Sequence, residues 1–360
     1  MKRNMKIMLY AGLAAMTFGL VSCGDWIEPK SLEVKTPSLE ESDPAAWAEY
    51  LKELNNYKNS EHKLVFVTFD NPTGVPANHR SEHLTVVPDL VDYIILNNPD
   101  NLHADFLAEF GQVRRKGTKV LYTFNFEAFD AAWREMARND ASLTEEQRLE
   151  YITDRTKEAL ALCDKWGYDG LVFGYTGFSP LSIPDSEREA AVALQGAFFA
   201  PVIEWQASHK GKVLAFMGRP DFVLEEESEI FGVCNYVMVD TDSATNEGDL
   251  SVRCLKAIDS EAVPTDRIIV TALEIRPDDN NQVFGWFGTV DEDGNKLRAL
   301  PEVARWITLP SPQFTRAGLV VKDIQTDYFN VKETGVYPHL NQAISIMNPS
   351  LIFPDFSDLN

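Results

Sequence analysis

Positively charged residues are scarce in this 360-residue sequence. It contains 33 Lys and Arg against 55 Asp and Glu, which gives a formal net charge of −22 at pH 7. A surface of that sign repels phosphate backbones and anionic lipid. We therefore expect no nucleic-acid partner, and we interpret the acidity as a source of solubility.

Histidine is also scarce, with six residues in the chain. None of them forms a helix-spaced pair in a zinc pattern, and His79 and His83 lie in a polar stretch typical of a solvated loop. The sequence contains neither a phosphate-cradling glycine loop nor a G-x-S-x-G elbow. We expect no metal and no cofactor.

Cysteine is the third scarce residue type, with four in the chain. Cys163, Cys234 and Cys254 stand in apolar surroundings, without the close pairing of a disulfide or the spacing of a metal site. We expect these three to be buried small hydrophobic residues.

The N-terminus carries a short apolar run, Ile7–Val21, after the basic residues Lys2, Arg3 and Lys6. The run is too short to span a bilayer comfortably and ends at Leu-Val-Ser-Cys23. This resembles a bacterial lipoprotein signal, in which the cysteine is lipidated, and an ordinary secretory signal is the alternative. The resemblance implies a signal peptide over 1–22, a tether over 23–43 and a lipid anchor as the membrane contact. It also implies an outer-membrane, cell-surface location.

From residue 44 onward the sequence predicts a single domain made of eight β/α units. The apolar runs that predict strands are Lys63–Asp70, Val91–Asn98, Lys119–Phe126, Asp169–Thr176, Lys212–Gly218, Tyr236–Thr241, Arg267–Glu274 and Gly318–Gln325. Continuous apolar runs are typical of parallel strands that are buried on both faces. Their alternation with helical segments predicts an α/β fold, a (β/α)8 TIM barrel over 44–360, with a doubly wound open sheet as the rival.

Helix starts support this count of units. Asp43 before Pro44 predicts an N-cap. A capping-box pattern begins at Thr144 and predicts a helix to about Lys165, and a second begins at Ser186 and predicts a helix that ends near Gly211.

The fourth predicted strand carries the most informative motif, Gly167-Tyr-Asp-Gly-Leu-Val-Phe-Gly-Tyr-Thr-Gly-Phe178. It resembles the Asp-Gly-x-Asp-x-Asp-x-Glu strand of family 18 glycoside hydrolases, the chitinases and endo-β-N-acetylglucosaminidases. Asp169 and Gly170 match, whereas Val172, Gly174 and Thr176 occupy the other three acidic positions. In that family the last position is the general acid, and a threonine hydroxyl cannot supply that proton near neutral pH. The resemblance therefore implies that the chain retains the barrel scaffold of the family and lacks its catalytic acids.

A second departure follows the third strand. The family usually has a Ser-x-Gly-Gly turn there, whereas this chain has the bulkier Phe124-Asn-Phe-Glu127. We expect these side chains to narrow the cleft.

In a barrel of this type the site lies at the carboxyl ends of the strands. Amides, acids and aromatic rings are interleaved there, a mixture that suits a carbohydrate, although strand ends are polar in any protein. The predicted glycan-binding residues are Asn98, Asn125, Glu127, Tyr175, Thr176, Phe178, Arg219, Asp240, Glu274, Trp286, Phe287 and Tyr328.

The segment Val283–Gly288 holds three aromatic residues spaced by glycines. It either folds back to cover the barrel rim or offers Trp286 or Phe287 as a platform for a sugar ring. Trp306, in the following predicted helix, we expect in the core.

Three functional hypotheses remain open at this point. The first is a non-catalytic, lipid-anchored surface protein that captures N-acetylglucosamine-containing glycans, above all N-glycans, and passes them to an outer-membrane transporter. It resembles the surface glycan-binding lipoproteins of Bacteroidetes polysaccharide-utilisation systems. The second is an active endoglycosidase with relocated acids, for which Glu127, Asp240, Glu274 and Asp327 are candidates. The third is a docking body without a glycan site.

Overall fold

The computed structural model describes residues 38–274, 285–328 and 335–349. Ala48–Pro354 forms one compact unit, the barrel, and the described residues 38–47 belong to a separate small unit. The predicted signal peptide and most of the predicted tether lie outside the described residues. Within the described ranges, no helix is both long and apolar enough to cross a membrane.

Eight parallel strands close into a barrel, which confirms the predicted (β/α)8 architecture. The strands are β1 (Leu64–Phe69), β2 (Tyr93–Leu96), β3 (Lys119–Asn125), β4 (Gly170–Tyr175), β5 (Val213–Gly218), β6 (Tyr236–Val239), β7 (Ile268–Leu273) and β10 (Arg316–Lys322). Neighbouring strands around the barrel follow the order β1-β10-β7-β6-β5-β4-β3-β2, and β2 pairs with β1 to complete the circle. An antiparallel hairpin of β8 (Trp286–Val290) and β9 (Lys296–Arg298) stands between β7 and β10 in the chain.

Helices follow most of the strands. They are α1 (Leu39–Ser42), α2 (Pro44–Lys58), α3 (Ala104–Arg115), α4 (Phe126–Asn139), α5 (Glu145–Trp166), α6 (Arg188–Ser208), α7 (Ile230–Val233), α8 (Glu247–Ala257), α9 (Ala299–Thr308), α10 (Gln325–Tyr328) and α11 (Pro338–Met347).

Two of the predicted helix starts are confirmed and one is wrong. Asp43 accepts a hydrogen bond from the Ala46 amide, and Thr144 forms the predicted capping box. The predicted box at Ser186 does not form, because a 3₁₀ turn over Asp185–Glu187 precedes α6. That helix begins at Arg188 and ends at Ser208, three residues before Gly211.

Two hydrophobic layers hold the fold. Side chains that point into the barrel, such as Phe66, Leu121 and Val172, pack against one another, and a larger layer fills the space between strands and helices. The outer layer includes Cys163, Cys234 and Cys254, all free and buried, and Trp306, as predicted.

A repeated brace joins the strands at their amino ends. The residue just before β2, β4 or β6 accepts a hydrogen bond from the second backbone N–H of the preceding strand. The pairs are Val65 to Asp92 at 2.8 Å, Val120 to Asp169 at 2.8 Å and Leu214 to Asn235 at 2.9 Å. Asp169, which matches the family motif, therefore has an architectural role at the amino end of the barrel. It lies far from the carboxyl ends of the strands, which we call the mouth.

Gly170, the other matched motif residue, is architectural for a different reason. A Cβ atom at this position would lie 2.1 Å from the carbonyl oxygen of Val213 on β5. Contact at that distance is prohibited, so β4 and β5 pair closely only with glycine here.

Candidate functional site at the carboxyl end of the barrel

The motif positions on β4 point into the barrel, as alternation along a strand requires. Val172 is fully buried in the inner layer, Gly174 follows one step closer to the mouth, and Thr176 is half-buried just past the end of the strand. The three positions that carry acids in the family motif therefore hold an isopropyl group, a hydrogen atom and an alcohol. None of these groups can donate a proton to a leaving oxygen near pH 7.

The space at Gly174 is closed by Asn125, the last residue of β3. A Cβ atom built on Gly174 would lie 2.8 Å from the Cβ atom of Asn125. Asn125 is held in place, because its Oδ1 accepts a hydrogen bond of 2.8 Å from the Ala128 amide and caps α4. Asn125, a predicted site residue, thus caps α4 and also fills the space that a side chain at position 174 would need.

Glu127 lies in the first turn of α4 and ties that helix to the end of β4. Its Oε1 accepts hydrogen bonds from the amides of Thr176 at 2.6 Å and Gly177 at 2.9 Å. The structure therefore brings a carboxylate next to the backbone of the position where the family has its acid.

The opposite side of the mouth is polar and charged. Lys322 on β10 donates a hydrogen bond of 2.5 Å to Asp242, and Asp240 accepts one of 3.2 Å from the Asp242 amide. Burial lowers the pKa of Lys322, but Asp242 and Asp240 outweigh it, so the net pKa is raised and the amine stays protonated. Lys322 and Asp242 were not among the predicted site residues. The sequence did contain a signal for Lys322. It lies two residues after the inward-facing Val320 on the same strand, so alternation places it on the inner face of the barrel.

Two other predicted residues lie at strand ends in polar contacts. Asn98 donates to the Asp70 carboxylate at 2.8 Å and to the Asn71 carbonyl at 2.9 Å. Arg219 makes two hydrogen bonds with Asp221, and its guanidinium lies 3.9 Å from the centre of the Phe222 ring.

Three predicted residues are buried, so they offer no exposed surface at the mouth. Tyr175 is 4% exposed because it points outward from β4 towards α6, where its hydroxyl accepts a 2.7 Å hydrogen bond from Gln195. Phe287 is 5% exposed and packs in the outer core layer. Glu274 is 3% exposed and belongs to an ion network.

Trp286 and Tyr328 are half-buried. The Arg298 guanidinium lies 5.0 Å from the centre of the Trp286 ring, and Tyr328 meets Tyr337 edge to face at 5.3 Å. Val283 and Phe284 lie outside the described residues. In the described part of this segment, the rings pack against the protein, which favours the rim-covering alternative.

Phe178 is the exception among the predicted rings, with 62% of its surface exposed. It follows the Thr176–Gly177 turn, and the Arg134 guanidinium lies 5.9 Å from its ring centre.

The network around Glu274 joins elements that are distant in the chain. Glu274, after β7, accepts a 3.0 Å hydrogen bond from Arg298, while His339 Nδ1 lies 3.3 Å from Glu274 and 2.9 Å from Asp327. Asp327 also accepts hydrogen bonds from the backbone amides of His339 and Leu340 at the start of α11.

The donor atoms of Glu274, Asp327 and His339 lie within 4.8 Å of one another, a spacing that a divalent cation could use. The described contacts favour a protonated His339 over a bound metal ion. The Arg298 guanidinium already pairs with Glu274, and protonated His339 is the second cation. Two cations then balance the two carboxylates of Glu274 and Asp327. Burial alone would lower the pKa of His339. Its hydrogen bonds to Asp327 and Glu274 outweigh burial and raise the pKa to about 9.

This network predicts a protein that loses stability in alkali. Because the folded-state pKa of His339 exceeds the ordinary histidine value of 6.5, its contribution to stability is complete below pH 6.5 and disappears as the pH rises through about 9. We expect a loss of about 2–3 kcal/mol of unfolding free energy between pH 6 and pH 10 from this group, measured by urea unfolding. His339→Gln should flatten that part of the profile, and His79→Gln, at an exposed site, should leave it intact. An unchanged profile in His339→Gln would contradict the assignment.

Comparison with known families decides the ancestry of this barrel. The family description "Glycoside hydrolase family 18, BT1044-like" matches residues 27–346. The chain belongs to the BT1044-like group of glycoside hydrolase family 18. The predicted relationship to family 18 is confirmed, and the altered β4 positions are departures within that family.

Solved structures show the same fold. A selenomethionine-labelled BT1044 variant with one Glu-to-Gln substitution has a TM-score of 0.59 and 15% identity, covering 86% of this chain and 95% of that one. An endo-β-N-acetylglucosaminidase from Cordyceps militaris has a TM-score of 0.56 and 14% identity, covering 83% and 95%. A double mutant of the latter, in complex with fucosyl-N-acetylglucosamine-Asn, has a TM-score of 0.54 and 13% identity, with the same coverage. No curated protein sequence matches this chain.

Proposed function

We propose that this protein is a non-catalytic, cell-surface lipoprotein that captures N-acetylglucosamine-containing glycans, above all N-glycans. The observation that carries the proposal is the end of β4. Val172, Gly174 and Thr176 stand in the acid positions, and Asn125 occupies the space beside Gly174. A protein that had merely lost one acid would keep the room for it, whereas here a neighbour has filled that room.

The same geometry supports the proposal of capture without cleavage. Hydrolysis requires groups that bind the transition state more tightly than the bound sugar, and β4 offers no such carboxylate. The mouth still holds donors and acceptors for hydroxyl groups, among them Lys322, Asp240 and Arg219. Such a site binds with an affinity of about micromolar, and a membrane anchor would raise the local concentration.

The ligand class rests on the family. The Cordyceps militaris relative is an endo-β-N-acetylglucosaminidase, and its mutant was solved with fucosyl-N-acetylglucosamine-Asn. A barrel of the same family that keeps a polar mouth is suited to the same chemical class. Lipidation at Cys23, an outer-membrane surface location and delivery of glycan to an outer-membrane transporter complete the proposal; they rest on the Leu-Val-Ser-Cys23 pattern.

The decisive experiment combines binding and cleavage in one mixture. The protein from Gly24 onward is titrated by calorimetry with high-mannose N-glycans, complex N-glycans and chitooligosaccharides, and the mixtures are analysed by mass spectrometry after a day. We expect binding of about micromolar affinity with the glycans intact. Cleavage would overturn the capture function, and absence of both binding and cleavage would favour a docking body.

The second candidate function is hydrolysis by a relocated acid, which one contact favours. Glu127 lies beside the Thr176 position, and Asp240 follows β6, two strands away from β4 in the barrel order. Glu274 and Asp327 drop out as candidates because both are buried in the ion network. If cleavage is seen, Glu127→Gln and Asp240→Asn identify the groups responsible.

A further inference from the structure

A cavity lies outside the barrel, on the flank of β4. It has a volume of 560 Å³, within the range of about 300–1,000 Å³ that is common for ligand pockets. The rings of Phe126, Tyr175 and Phe178 line one side, and Ala190 and Leu194 of α6 line the other. No step of the capture at the mouth uses this space.

The polar side chains of the cavity are held in a fixed arrangement. Asp130 is buried, and its two carboxylate oxygens accept from Arg148 at one side and Arg134 at the other. The Arg134 guanidinium also lies over the exposed ring of Phe178. Glu145 and Glu187 complete the rim, so the three carboxylates exceed the two guanidinium groups by one charge.

We propose that this flank cavity binds a neutral sugar residue of the captured oligosaccharide, as a second subsite next to the mouth. The inference rests on the proposed function. An exposed aromatic ring beside planar guanidinium and carboxylate groups matches the two surfaces of a sugar, its C–H face and its hydroxyl edge. A neutral residue brings no charge to the rim, whereas an acidic sugar would meet the surplus carboxylate.

The path between the two sites is short. Thr176 lies just past the end of β4 at the mouth, and Tyr175, the preceding residue, forms part of the cavity wall. The turn after them is fixed by the two hydrogen bonds from the Thr176 and Gly177 amides to Glu127. A branched or extended glycan can therefore reach around a rigid strand end, with one residue in the mouth and another beside Phe178.

Two matched pairs of variants test the flank cavity, with calorimetry of a high-mannose N-glycan as the measurement. Phe178→Ala removes the ring and should weaken binding at least fivefold. Leu181→Ala is the control, because Leu181 is 99% exposed nearby but does not line the cavity. Ala190→Trp fills the cavity from an exposed position on α6 and should weaken binding about tenfold. Ala200→Trp, exposed on the same helix away from the cavity, should bind like the wild type.

The outcomes separate this inference from the function on which it rests. If the wild type binds no glycan, the proposed function fails. If the wild type binds and both Phe178→Ala and Ala190→Trp bind equally well, the flank cavity is not a subsite. If only Phe178→Ala weakens binding, the ring acts at the surface and the cavity assignment is wrong. Circular dichroism of each variant confirms that it is folded.

Discussion

Gly174→Asp is expected to lower the unfolding free energy by about 3 kcal/mol and to restore no hydrolysis. The new Cβ atom would lie 2.8 Å from the Asn125 Cβ atom, so the ends of β3 and β4 must separate. Overpacking of this kind costs about 1–3 kcal/mol, and a crowded carboxylate without a prepared partner adds to the cost. Urea unfolding measures the loss, and mass spectrometry of a glycan mixture tests the activity, also for the triple variant Val172→Asp, Gly174→Asp, Thr176→Glu.

The contact with Asn125 predicts a specific rescue. Asn125→Gly removes the opposing Cβ atom and, as a cap substitution to glycine, costs only a few tenths of a kcal/mol. The double variant Asn125→Gly, Gly174→Asp should therefore be more stable than Gly174→Asp alone. Gly111→Asp, on an exposed face of α3 with nothing within 4 Å, is the control and should be nearly neutral. Equal stability of Gly174→Asp and Gly111→Asp would show that the space at β4 is open.

Asp327→Ala is expected to have an effect of similar or larger size, about 3–5 kcal/mol. Asp327 is 1% exposed; it accepts the amides of His339 and Leu340 and pairs with His339. Without Asp327, Glu274 is the carboxylate that remains for His339 and Arg298 in the described network. The backbone amides at the start of α11 also lose their hydrogen-bond acceptor. Breaking a buried charge network by removing one partner is strongly destabilising.

Chemical unfolding of Asp327→Ala at pH 6 measures this effect. Asp154→Ala, at an exposed position of α5, should change the unfolding free energy by less than about 0.5 kcal/mol. Because His339 loses a hydrogen-bond partner, the variant should also lose much of the alkaline transition. A variant as stable as Asp154→Ala would mean that the network contributes no net stability.

The barrel could be predicted from sequence because its strands are buried on both faces. A run such as Leu64–Phe69 has to be apolar throughout when it faces the inner layer on one side and helices on the other. Eight such runs that alternate with helical segments leave few other architectures. Most strand ends were predicted up to two residues too long, because polar residues beyond a strand give no sharp signal. The last run, Gly318–Gln325, began two residues after the start of β10 and ended three residues beyond it.

The site was predicted less well, partly for a reason that the sequence contains. Since Val172, Gly174 and Thr176 share the inner face of β4, alternation requires Tyr175 to point outward, away from the mouth. The flank cavity is a different case. Its walls come from α4, α5, α6 and the turn after β4, and no local pattern shows that these segments meet around an empty volume.

The contact between Gly174 and Asn125 also bears on the history of the chain. To regain an acid at position 174, the chain would first have to change Asn125, a substitution that weakens a helix cap and yields no activity by itself. A carboxylate introduced first would meet a closed space and lower stability. Under the proposed non-catalytic function, each single substitution towards an acid at position 174 is therefore disadvantageous. The packing of the β3 and β4 ends would then make the change at this position difficult to reverse one substitution at a time.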